Sequence, residues 1–149
     1  MAIHYHHDGC KYKFGQRRLI GRWLREVAAR EGYELEDVGV IFCSAERLLA
    51  MNREFLGHDY YTDIITFDYS DLDIMRFIAG ELYIDVETVA DNARNFDSTP
   101  LREMHRIVVH GVLHLCGQGD KSEAEAPEMR RKENLYLDLL DEMCSPSDR

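Results

Sequence analysis

Two histidines four residues apart, His110 and His114, and an aspartate six residues further on, Asp120, are the side chains of this 149-residue sequence best suited to do chemistry together. On a helix, residues i and i+4 lie one turn apart on the same side, so two imidazole nitrogens can reach one ion. Imidazole suits a borderline-soft cation such as Zn²⁺, and carboxylate is a common third donor. Gly117 lets the chain leave the helix and fold back, so that Asp120 can deliver that carboxylate. Three protein donors leave one position open to water, as in a catalytic rather than a structural site. A His-x₃-His pair alone is a weak signal; the glycine break and the following aspartate supply the geometry it lacks.

A zinc peptidase of the HExxH kind needs a glutamate directly after the first histidine as its proton acceptor, and here that residue is Gly111. The other histidines invite blander readings. His4, His6 and His7 form a short tract read as strand or surface, and His58 as a polar turn residue. His105 stands about 140° around the helix from His110 and is expected to face away from the ion. The four cysteines are far apart with no CxxC pair, which excludes a zinc ribbon and a redox motif; Cys43 and Cys116 read as small buried hydrophobes. A net charge of −10 argues against a generic nucleic-acid coat. The cluster Arg17, Arg18, Arg22 and Arg25 reads as a solvated helix face.

These residues must be positioned by elements, and the pattern supplies them. Apolar pairs Leu19/Ile20, Trp23/Leu24 and Val27/Ala28 recur every four residues and predict a helix from about Gly15 to Glu31, stopped by Gly32. Ile3–His7 and the β-branched run Val38–Cys43 read as strands. Ser44 caps a helix to about Phe55 with Leu48, Met51, Asn52 and Phe55 on one face, and Gly57 ends it. Asp63–Tyr69 and Ile78–Asp85 read as antiparallel strands. Asp85 begins a short helix, and Thr99-Pro100 begins the histidine helix, expected to reach Cys116. A last helix spans about Glu125 to Met143, with Met129, Tyr136, Leu140 and Met143 inward. It starts at a Ser122/Glu125 capping box or with Pro127 as its first residue. The expected fold is α+β: a small mixed sheet packed with about five helices, one of them a zincin-like metal helix. One domain over residues 1–144 is expected, with a loose tail at 145–149. With 45 % apolar residues, no run near the ~20 needed for a membrane helix and no secretory leader, the cytoplasm is the expected compartment.

The segment His110-Gly111-Val112-Leu113-His114-Leu115-Cys116-Gly117 resembles the HGxLHLxG signature of the YbeY family. Asn52 to Phe67, with Thr62-Asp63 entering a strand, is similar to that family's second motif. Gly80-Glu81-Leu82-Tyr83-Ile84 resembles its Gly-Asp-Ile strand, and Met129 and Glu133 match its final helix. The likeness runs from about Asn52 to Tyr136, in order. It implies a four-stranded mixed sheet carrying the histidine helix. It also implies a cytoplasmic, metal-dependent, single-strand-specific endoribonuclease that matures the 3′ end of small-subunit ribosomal RNA and serves ribosome quality control. RNA and the small ribosomal subunit are the implied partners.

Two departures bear on the site. The family's metal motif usually ends on a third histidine, where this chain has Asp120, and a carboxylate there would shift preference toward harder ions. An arginine common in relatives is replaced by Leu56. Arg106, one turn before His110, and Arg53 are candidate substitutes, so the expected catalytic residues are His114 and Arg106. The attacking group is either water or the RNA 2′-hydroxyl. Glu133 is a candidate partner for a ligating imidazole, against a plain helix salt bridge. Tyr60, Tyr61 and Tyr69 are candidates to stack on bases, against a packing role. The competing functions are a non-catalytic ribosome assembly factor with a structural metal and a metal-dependent hydrolase of another substrate.

Overall fold

The computed structural model describes residues 2–58, 61–71 and 76–144. Tyr60 and the tail expected at 145–149 lie outside them. The elements run in the order β1 (Ala2–Asp8), α1 (Arg17–Arg30), β2 (Glu34–Cys43), α2 (Ala45–Leu56), β3 (Ile64–Asp68), β4 (Phe77–Asp85), α3 (Val86–Asn95), α4 (Pro100–Leu115) and α5 (Glu125–Met143). The four strands form one mixed sheet in the order β1-β2-β4-β3, an α+β arrangement. β1 and β4 flank β2 in parallel, and β3 pairs antiparallel with β4.

Alternation along the strands builds two cores. Val38, Val40 and Phe42 of β2 and Ile78, Leu82 and Ile84 of β4 point to the face covered by α1, α4 and α5, where Trp23, Leu24, Val108, Val112 and Leu113 are buried with them. Ile41 and Cys43 point to the other face and pack with Leu48 and Met51 of α2 and with Ile65 of β3. The indole of Trp23 donates to the Tyr136 carbonyl at 2.7 Å, tying α1 to α5. Among the described residues no helix is long and apolar enough to cross a membrane.

Local signals set most of the boundaries. Ser44, Asp85 and Thr99 each accept backbone N–H bonds at the start of their helices. Gly32, Gly57 and Gly117 hold left-handed backbone at the stops. Ser122 and Glu125 bond reciprocally ahead of α5, so the capping box is formed and Pro127 sits inside the helix. Two expectations need correcting. β2 begins at Glu34 rather than Val38, because the charged stretch 34–37 pairs with Phe77–Ala79 although it has no apolar run. Phe55 is 59 % exposed rather than inward; its ring rests edge-on against Phe67.

His105 does face away from His110. It is buried between Phe14 and Trp23, whose rings meet it edge-on at 6.1 Å. Burial, aided by the Arg102 charge and opposed by Asp141, pushes its pKa from 6.5 down to about 4. The unfolded chain therefore binds a proton that the folded chain refuses between those values. Stability is full above about pH 6.5 and falls on acidification toward pH 4, on the order of 3 kcal/mol for this group. Urea unfolding of the parent and of His105→Leu at pH 7 and pH 4.5 checks it: the leucine variant is expected to lose less stability on acidification. Equal losses in the two proteins would contradict it.

Candidate metal centre

The centre is made at the end of α4. Thr99 fixes the start of that helix, its hydroxyl accepting from the Arg102 N–H at 3.1 Å. Burial of Val108, Val109, Val112 and Leu113 then fixes its rotation, leaving His110 and His114 half-buried on one side. Gly111, between them, faces the sheet. A Cβ there would stand 2.8 Å from the Leu82 side chain and 3.0 Å from that of Ile64. The helix backbone thus lies close on β3 and β4, and a glutamate at this position has no room. Past Leu115, Gly117 at φ +90° turns the chain back, with the Gln118 N–H bonded to the Leu113 carbonyl at 3.0 Å.

That reversal brings Asp120 to the histidines. The two Nε2 atoms are 3.0 Å apart, and each lies 3.3 Å from Asp120 Oδ2. Donors on a tetrahedral ion with bonds of ~2.05 Å are separated by about 3.3 Å, so this triangle has the dimensions of one face of a zinc coordination shell. His110, His114 and Asp120 are the group among the described residues able to hold a metal ion, and all three remain partly exposed. The residues present therefore fit a divalent ion.

Glu133 of α5 stands behind the site. Its Oε2 lies 2.7 Å from His110 Nδ1, which fixes the ring and turns Nε2 toward Asp120. The carboxylate is buried, and Arg106 meets its other oxygen at 3.1 Å, with Arg130 at 3.5 Å. Burial would raise Glu133, yet the His110 and Arg106 contacts hold it below the usual glutamate value. Burial would likewise lower His110, but the bond to Glu133, with the charges of Glu133, Asp120 and Asp63, raises it above an ordinary histidine.

Arg106, the expected cation of the site, lies one turn before His110 on α4. Its guanidinium is drawn to the buried charge of Glu133 and also pairs with Glu103 at 3.7 Å, in a cleft adjoining the one that holds Asp120. Glu133 thus links this charge to the His110 ring. The cleft beside the histidine pair, about 530 Å³, is lined by His110, His114 and Asp120 together with Leu56 and His58. Tyr61 and Tyr69 are exposed, and the Tyr69 hydroxyl donates to Glu81 at 2.7 Å. The other lining residues include Asn52, Asp63, Asp68 and Lys121, which carried no chemical signal in the sequence. Asn52 is buried on an otherwise apolar helix face, a placement that costs energy without partners and could have marked it. Asp63, read as a strand start, is held above the usual aspartate value by burial, against the charge of His110.

The sequence profile of the family described as Endoribonuclease YbeY matches residues 3–141. The chain belongs to the YbeY family. An endoribonuclease YbeY from Parabacteroides distasonis is 41 % identical over 144 residues, covering 97 % of this chain and 99 % of the relative. One from Cytophaga hutchinsonii is 44 % identical over 138 residues, covering 93 % and 95 %. The solution structure of TM1509 from Thermotoga maritima is similar with a TM-score of 0.64 and 28 % identity, over 93 % of this chain and 89 % of that one. The YbeY assignment agrees with the mixed four-stranded sheet and with the histidine helix packed on it.

Proposed function

We propose that the protein is a metal-dependent endoribonuclease specific for single-stranded RNA. Its ion, Zn²⁺ by donor type, is held by His110 Nε2, His114 Nε2 and Asp120 Oδ2. The observation that carries this reading is the triangle of three donors, sized for one face of a tetrahedron and opening into a cleft that admits solvent. The cleft, together with family membership, favours a catalytic over a purely structural ion. Within the family's known work, the substrate is precursor small-subunit ribosomal RNA, cut in 3′-end maturation and ribosome quality control. On this reading the protein works in the cytoplasm with the small subunit as its partner.

The chemistry a divalent ion supplies here when bound is Lewis acidity toward a phosphoryl oxygen or an attacking hydroxyl. The chain's own residues prepare for it. Glu133 accepts the Nδ1 proton of His110, leaving the Nε2 lone pair facing the cleft. Arg106 balances the buried charge of Glu133, so that the carboxylate can stay ionised and keep the ring oriented. Asn52 and Thr62 give the cleft polar walls suited to a nucleotide backbone rather than an apolar ligand.

The zinc-loaded protein is expected to cut an unstructured RNA internally, to spare a duplex of the same sequence, and to stop when a chelator is added. RNA left whole, or cut equally in chelator, would refute the proposal.

A further inference from the structure

We infer that Lys121 is the phosphate-anchoring residue of the cleft, gripping the RNA backbone beside the histidine pair. The inference rests on the endoribonuclease reading and adds to it the group that admits a polyanion to an acidic protein. The lining of the cleft contains three carboxyls, Asp63, Asp68 and Asp120. They outweigh what a divalent ion brings, and a phosphodiester entering there needs a further positive charge. Among the described residues that line the cleft, Lys121 is the one lysine or arginine. The cations nearest in the adjoining cleft, Arg106 and Arg130, are committed to Glu103 and Glu133. Lys121 is exposed and forms no ion pair among the described residues.

Its place is built rather than incidental. The loop from Gly117 to Ser122 is held at one end by the helix stop and at the other by the Ser122–Glu125 capping box. In its middle the Gln118 side chain donates to the Gly119 carbonyl at 3.0 Å. The Glu125 carboxylate lies directly against Gly119, where a Cβ would run into it. The loop that fixes Asp120 thus fixes the next Cα as well, and hangs a flexible four-carbon stem with a compact charge over the cleft. A lysine of this kind follows a phosphate oxygen as a point charge and needs no planar register. Such a contact reads the backbone and not the bases.

The test compares full-length, zinc-loaded parent, Lys121→Ala and Lys121→Arg on a single-stranded RNA oligonucleotide. Zinc content and melting temperature are measured on each. The alanine variant is expected to keep both, to bind RNA about tenfold more weakly, and to show a larger rise in KM than fall in kcat. The slope of log affinity against log salt is expected to shrink by about 0.7, the value of one lost phosphate contact on a single strand. Arginine restores most of the binding. Unchanged affinity and salt slope in Lys121→Ala, with the parent cleaving normally, would overturn the inference and leave the endoribonuclease reading standing. A parent that neither binds nor cuts RNA would sink both.

Discussion

His114→Ala protein, purified and supplied with zinc, is expected to cut single-stranded RNA slower than the parent by roughly a thousandfold or more. Loss of one preorganised electrostatic group costs 10²- to 10³-fold in typical enzymes, and here the substitution removes a donor to the ion that supplies the Lewis acid. Folding is expected to survive. His114 is half-buried, at the last turn of α4, and its ring meets His110 and Asp120 rather than the core. Circular dichroism and melting checks on the variant therefore accompany the rate measurement. A His114→Ala protein that cleaves at the parental rate would show the activity to be a contaminant.

The second large effect belongs to Glu133→Gln. Groups that orient a ligating imidazole typically contribute 10- to 100-fold to metal affinity, and that is the expected loss at neutral pH. The pH dependence carries the sharper signature. An ion needs the neutral ring, and Glu133, with Asp120 and Asp63, raises the His110 pKa against the effect of burial. In the parent, protons therefore compete with zinc from above the ordinary histidine value near 6.5, and affinity falls as the pH falls through that region. In Glu133→Gln the His110 pKa drops, so the acid loss of zinc begins at a lower pH although the neutral-pH affinity is weaker. Zinc titrations from pH 5 to 8 separate the two effects. A variant with parental affinity and an unmoved pH midpoint would show that the contact between His110 and Glu133 does not tune the site.

Where periodicity and capping agreed, the sequence was enough. The α4 and α5 boundaries, the Ser44, Asp85 and Thr99 caps and the reversal at Gly117 are all short-range chemistry and stand as expected. His110, His114 and Asp120 were legible for the same reason: the helical repeat and one glycine place them within ten residues of one another. Contacts made across the fold were harder to see. Glu133 lies 23 residues from His110, and only the docking of α5 on α4 decides between an imidazole partner and a helix salt bridge; it serves as both. Arg106 shares a face with His110, but helical phase cannot show that its guanidinium pairs with the buried Glu133 carboxylate. Asp63 and Lys121 reach the cleft through a strand start and a loop, whose side-chain directions carry no periodic signal. The N-terminal half of β2 was hidden because its charges are tolerated once Phe77–Ala79 supplies hydrogen bonds.

Elemental analysis tests the centre most directly. Parent and Asp120→Ala proteins would be loaded with zinc, passed through a desalting column and assayed for metal per chain. The geometry predicts one ion per parent chain and a loss of most of it from the alanine variant. A parent that elutes metal-free, or an Asp120→Ala protein that keeps a full ion, would contradict a centre shared by His110, His114 and Asp120.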